Sequence, residues 1–264
     1  METTGKSRES AVEAASARER RRVIIEGVRP QVDCGRFAAK RELGEDVVVE
    51  ADVFTDGHDT VACRLLFRPD SVRTWRAVPM QALPNDRWRA SFRAERLGRW
   101  IFTLQGWVDV FATWRGDLEK RVAAGQDVAV DLLIGADILE RTAGRATPQD
   151  RRSLELAAAA LRGQLPQREK VRHALDPRLR ALVRRHPDLQ NATAFGRELA
   201  VIVDPVRARF SAWYELFPRS TSPVPGRHGT LRDTADRLDD IAAMGFDVLY
   251  LPPVHPIGES KRKG

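Results

Sequence analysis

The stretch Phe246-Asp247-Val248-Leu249-Tyr250-Leu251-Pro252-Pro253 is a short, nearly continuous apolar run that ends in two prolines. A parallel strand covered on both faces has this composition, because neither face needs polar residues. Just upstream, Thr230 and Asp233 make a capping-box start, and Leu231, Ala235, Leu238, Ile241 and Ala242 recur at helical spacing until Met244-Gly245 closes the element. Before that helix, Phe210-Ser211-Ala212-Trp213-Tyr214-Glu215-Leu216-Phe217 reads as a strand stopped by Pro218. Residues 209–264 are thus expected to be a strand-helix-strand unit, the repeating piece from which a (β/α)8 TIM barrel is built. A complete barrel takes about 250 residues, so the chain is expected to hold only its first part.

Ahead of this segment the periodicity changes twice. From residue 23 to 114 it is β: Val47, Val49 and Ala51 alternate with Glu50 and Asp52, Trp88, Ala90 and Phe92 alternate with Arg87, Arg89, Ser91 and Arg93, and Trp75, Ala77 and Pro79 follow the same period. Turn residues such as Thr55-Asp56-Gly57-His58 and Pro84-Asn85-Asp86 separate the runs. Short strands at this spacing predict an immunoglobulin-like β-sandwich. Trp100, Phe102 and Leu104 share one face of a strand and are assigned to its core, not to a sugar platform. Residues 115–198 are expected to be helical. Val128, Leu132, Leu133, Ala136 and Leu139 lie on one helix face; Thr147-Pro148-Gln149-Asp150 and Asp176-Pro177 begin two further helices, the first carrying Leu154, Ala157, Ala158 and Leu161, the second Leu179, Leu182 and Val183. The run Leu199 to Val203 is then a strand that closes the sandwich at about 199–204, making the bundle an α-helical insertion. Residues 1–22 are expected to be a mobile polar tail.

The 264 residues carry 44 Lys and Arg against 37 Asp and Glu, a formal charge of +7. The two signs are interleaved and no basic stripe carries stacking aromatics, so no nucleic-acid partner is expected. A basic surface does favour phosphorylated or otherwise anionic ligands. No apolar run approaches membrane-spanning length, and the first residues lack the apolar centre of a secretory signal, so a cytoplasmic protein with no membrane partner is expected. Cys34 and Cys63 are expected to be free thiols. The five histidines have no metal-ligand spacing and no phosphate-binding glycine loop occurs, so neither metal nor cofactor is predicted.

The strings FSAWYELFPRS, DRLDDIAAMGFDVLYLPPVHPIG and KRKG resemble the first barrel segments of the maltose-1-phosphate maltosyltransferases of the α-amylase superfamily, and the resemblance runs from about Val23 to the last residue. It implies an enzyme of α-glucan (glycogen) synthesis that moves maltosyl units from α-maltose 1-phosphate to the non-reducing end of α-1,4-glucans with retention, and that works as a homodimer. Retention uses two carboxylates, a nucleophile and an acid. The family's pair follows later barrel strands, so this chain is expected to be inactive alone; Glu215 and Asp247 are not assigned to the pair. The resemblance carries over one binding residue, Lys263 of the Arg262-Lys263-Gly264 turn, as a contact to the donor. Two other readings are a non-catalytic glucan-binding module, in which Trp75, Trp88 and Trp107 would touch the glucan, and the front part of another amylase-superfamily enzyme.

Overall fold

The computed structural model describes residues 22–255 and 258–261, which form two compact units. In chain order the elements are β1 (Val23–Arg29), β2 (Ala39–Glu42), β3 (Asp46–Thr55), β4 (Val61–Pro69), β5 (Arg76–Pro79), β6 (Gln81–Ala82), β7 (Arg87–Arg93), β8 (Gly98–Val108), α1 (Val110–Ala123), α2 (Ala129–Gly144), α3 (Pro148–Arg162), α4 (Gln167–Ala174), α5 (Pro177–Arg184), β9 (Thr193–Ala194), β10 (Leu199–Asp204), β11 (Trp213–Glu215), α6 (Leu231–Ala235), α7 (Leu238–Ala243) and β12 (Val248–Tyr250). The chain is a mixture of sheets and helices whose front is rich in β structure.

Among the described residues, the first unit holds 22–39 together with Asp46–Arg93 and Arg99–Ile202. One sheet runs β1-β3-β7-β6; a second places β10 beside β8, then β4 and β5, with β9 also on β8. The alternation read from the sequence sets which side chains meet. Val47, Val49, Ala51 and Val53 of β3 are buried on one face, as are Leu65 and Phe67 of β4 and Trp100, Phe102 and Leu104 of β8. Phe67 stacks on Phe92 of the other sheet with ring centroids 4.5 Å apart, so the two sheets face each other across these side chains. Gly106 keeps the layer close: a Cβ there would stand 2.9 Å from Val23 Cγ1. The second face of β8 is also covered, with Ile101 and Thr103 buried and Thr103 Oγ1 donating to Arg197 O at 3.1 Å. At the chain's entry to this unit, Arg22 bridges Asp56 (2.9 Å) and Asp59 (2.6 Å).

Helices α1–α5 lie between β8 and β10, two strands that are neighbours in one sheet. Their shared core contains Phe111, Trp114, Leu118, Leu132, Ala136, Leu139, Leu154, Ala158, Leu161 and Val183. Both predicted helix starts are present: Thr147 accepts from Asp150 N with Pro148 in the first turn, and Asp176 accepts from Arg178 N before Pro177's helix continues to Leu179 and Val183. Two expectations need correction. Trp114 is not in a strand; α1 begins at Val110, where Asp109 accepts from Ala112 N and ends the preceding strand. Leu133 is exposed, not buried, since α2 turns its Leu132–Ala136–Leu139 edge to the bundle. Helix α4 was not foreseen; it has no side-chain cap and buries only Ala174.

The second unit holds Lys40–Glu45, Ala94–Gly98 and the described residues from Val203 onward. Here β11 and β12 pair in parallel, Trp213 with Val248, Tyr214 with Leu249 and Glu215 with Tyr250. Parallel pairing requires a crossover, and the segment bearing α6 and α7 supplies it. The single helix read from the sequence is two short ones. The capping box of Thr230 and Asp233 is present, but the helix breaks at Asp236-Arg237 before α7 begins. Of the predicted buried stripe, Ile241 is buried whereas Leu231 and Leu238 are exposed, because no described element packs over them. For the same reason Tyr250 is exposed and β12 is not covered on both faces.

Candidate functional site

The residue carried over by resemblance, Lys263, lies outside the described residues, as do its neighbours Arg262 and Gly264. What is visible is the frame upstream of it. Asp247 accepts from Ala212 N at 3.1 Å and pairs with Arg207 at 3.3 Å, so this carboxylate ties the entry of β12 to the entry of β11. Glu215 is exposed and is the last residue of β11. The segment after β11 folds back tightly: Gly229 N donates to Arg219 O at 2.9 Å, and a Cβ on Gly229 would lie 2.3 Å from Pro218 O. The buried Thr221 hydroxyl donates to Pro218 O at 2.6 Å and meets the Thr234 hydroxyl at 3.4 Å. Hydrogen bonds from Thr230 hold the Asp233 carboxyl below its ordinary range, so the cap is charged at neutral pH.

A second concave feature lies within the first unit. It is a cleft of 690 Å³ between the β4–β5 region and helices α1, α2 and α5. Met80, Trp88 and Trp107 supply apolar walls, and Arg141, Arg145, Arg180 and Arg184 supply guanidinium groups. Arg145 is fixed by donating to His186 O (2.9 Å), Arg141 O (3.0 Å) and Thr142 Oγ1 (3.2 Å), with Asp188 3.7 Å away. Burial pushes its pKa down, and the adjacent Arg141 charge acts in the same direction against the pull of Asp188. Asp109, the other carboxylate of the lining, is engaged as the α1 cap. Cys63 also lines the cleft; its Sγ sits 3.4 Å from Met80 Sδ, and burial pushes the thiol up to about 12.

The three tryptophans of the glucan-binding reading are all partly buried. Trp75 has the Arg68 guanidinium 4.6 Å from its ring centroid, and Trp88 is anchored by donating to Val53 O at 3.0 Å. Trp88 and Trp107 are brought to the same cleft, while Trp75 is not among its lining residues. Sequence reasoning missed the cleft arginines. Their one signal was spacing, Arg141 with Arg145 and Arg180 with Arg184, which puts each pair on one helix face.

Two facing sheets with a run of helices between two neighbouring strands, followed by a parallel strand-helix-strand unit, make this a multidomain chain with a β-rich front, and sequence comparison assigns the family. Residues 21–205 match the family described as alpha-1,4-glucan:maltose-1-phosphate maltosyltransferase, domain N/S, and the chain belongs to that family. It is 49% identical over 247 residues to the alpha-1,4-glucan:maltose-1-phosphate maltosyltransferase of Chlorobaculum tepidum, covering 93% of this chain and 36% of the relative. The like-named proteins of Myxococcus xanthus and Methylacidiphilum infernorum are 44% and 41% identical over 92% and 93% of this chain, and over 37% and 36% of their own lengths. The chain thus spans a little over a third of the length of the curated relatives it matches.

Proposed function

We propose that these 264 residues are the front part of a maltosyltransferase that moves maltosyl units from α-maltose 1-phosphate to the non-reducing end of α-1,4-glucans, with retention of configuration. The observation that carries this reading is that similarity to relatives of that name extends over 93% of the chain, beyond the family-model match at 205 and into the β11–β12 unit. In this reading the two facing sheets are an immunoglobulin-like sandwich with a helical insertion over 115–198. The parallel pair β11–β12 is the start of the catalytic (β/α)8 barrel. The protein is cytoplasmic and dimeric, and it serves glycogen or α-glucan synthesis.

The chemistry divides accordingly. A retaining transfer needs a carboxylate nucleophile and an acid about 5 Å from it. Asp247 is occupied in holding Ala212 N and Arg207, so it is not free to be either. The resemblance puts both catalytic carboxylates after later barrel strands, outside these residues, and the part played here is donor binding. Lys263, which follows the second strand in sequence, contributes a point charge to the donor phosphate. Two assays test the reading. The chain alone is expected to release no phosphate from α-maltose 1-phosphate in the presence of glycogen. A chimera in which this chain replaces the matching front of the Chlorobaculum tepidum relative is expected to transfer maltose, and Lys263→Ala in it to raise KM for the donor. A folded but inactive chimera, or transfer by the chain alone, overturns the assignment.

A further inference from the structure

We propose that the cleft between the β4–β5 region and helices α1, α2 and α5 is a binding site for a small phosphorylated carbohydrate, separate from any barrel site. The first reason is charge. Arg141 and Arg145 are four residues apart on α2 and its end, and Arg180 and Arg184 are four apart on α5; all four line one cleft. Like charges at this spacing repel, a cost that a bound dianion removes. Arg141, Arg180 and Arg184 make no side-chain ion pair among the described residues, whereas Arg185, which also lines the cleft, pairs with Asp150. The carboxylates of the lining do not offset them, since Asp109 caps α1 and Asp188 faces Arg145.

The second reason is shape and chemistry. At 690 Å³ the cleft falls in the range of about 300–1,000 Å³ that holds small ligands. Its walls combine an apolar aromatic surface, Trp88 and Trp107, with planar guanidinium donors that match a phosphate bidentately. Trp88 is fixed by its bond to Val53 O and Arg145 by three acceptors, so one residue of each kind of wall is held in place before any ligand arrives. A sugar body against the indoles and a phosphate among the arginines uses both; inorganic phosphate uses only one. The inference does not rest on the transferase reading, because every residue it invokes lies within the first unit.

Isothermal titration of the 264-residue chain with glucose 1-phosphate, glucose, inorganic phosphate and AMP tests it. Glucose 1-phosphate is expected to bind saturably with Kd below about 1 mM and more tightly than the other three. In Arg141→Gln/Arg184→Gln its Kd is expected to rise about tenfold or more, as loss of a charge-assisted hydrogen bond implies. Asp188→Asn is expected to change affinity in the opposite sense, by removing the competing carboxylate, which keeps the test informative if the double variant does not fold. Absence of saturable binding, equal Kd in all variants, or tighter binding of AMP overturns the proposal. Loss of binding in Lys263→Ala but not in the arginine variants would assign the ligand to the segment after β12 and overturn it as well.

Discussion

Adding one methyl group at Gly135 changes the sign of a familiar rule. In a helix interior Ala is more stable than Gly by about 0.5–1 kcal/mol. On α2, however, the Cβ would stand 2.1 Å from Trp114 Cζ2 and 2.6 Å from Cη2, so the indole must move. Overpacking of this kind costs about 1–3 kcal/mol. Moving the ring also breaks the 2.8 Å bond from Trp114 Nε1 to Asp131 O, and a buried donor left without an acceptor costs about 1–3 kcal/mol more. Against the propensity gain, Gly135→Ala is expected to destabilise the first unit by about 2–4 kcal/mol. At 2–4 °C per kcal/mol for a unit of this size, the thermal midpoint falls by about 5–15 °C. The readout is urea and thermal unfolding followed by ellipticity at 222 nm. The decisive comparison is the Trp114→Ala background, where the obstacle is gone and the same substitution should now stabilise by up to about 1 kcal/mol. A cost of equal sign and size in both backgrounds would refute the argument from the indole.

Other outcomes follow from burial and charge. With a thiol reagent near neutral pH, Cys34, which is exposed, should react in the folded chain while Cys63 should not, and both should react in denaturant; two fast thiols in the native protein would contradict the burial of Cys63. The Arg89 guanidinium, and then Arg87, hold Glu50 below its ordinary value of 4.5. A depressed folded-state pKa contributes stability that is present above the unfolded value and lost as pH falls through the folded one. Glu50→Gln is therefore expected to lower the urea midpoint at neutral pH and to match the parent in strong acid; a constant deficit across that range would count against the ion pair. Phe102→Ala, at the centre of the facing sheets and fully buried, should cost about 3–5 kcal/mol in the same unfolding assay.

Much of the fold is written in local pattern. Val47, Val49 and Ala51 declare their buried face by alternation, and Thr147-Pro148 and Asp176-Pro177 declare helix starts by capping chemistry, because both signals depend on neighbours in sequence. Phe111 and Trp114 were misread since aromatic residues fit a strand as well as a helix core; the Asp109 cap was the available correction. Leu231 and Leu238 illustrate the reverse limit. Their spacing promises burial, but burial needs a covering element, and no described element covers them. The cleft was invisible for a related reason: its lining is drawn from segments between Thr60 and Asp188, and only the tertiary fold brings Trp107 and Arg184 to one surface.

The placement of α1–α5 between two adjacent strands has a consequence for how the chain reaches its fold. To pair β8 with β10, the polypeptide must bring together segments separated by the whole helical region, and closing so long a flexible loop is entropically costly and slow. Helices form on local contacts, far faster than distant strands find each other. Once Phe111, Leu132, Leu154 and Val183 have condensed around their common core, the ends that lead into β8 and β10 are held near one another, and the long loop behaves as a short one. The insertion then acts on assembly as a tether, and substitutions in its core should slow the closing of a sheet to which they do not belong.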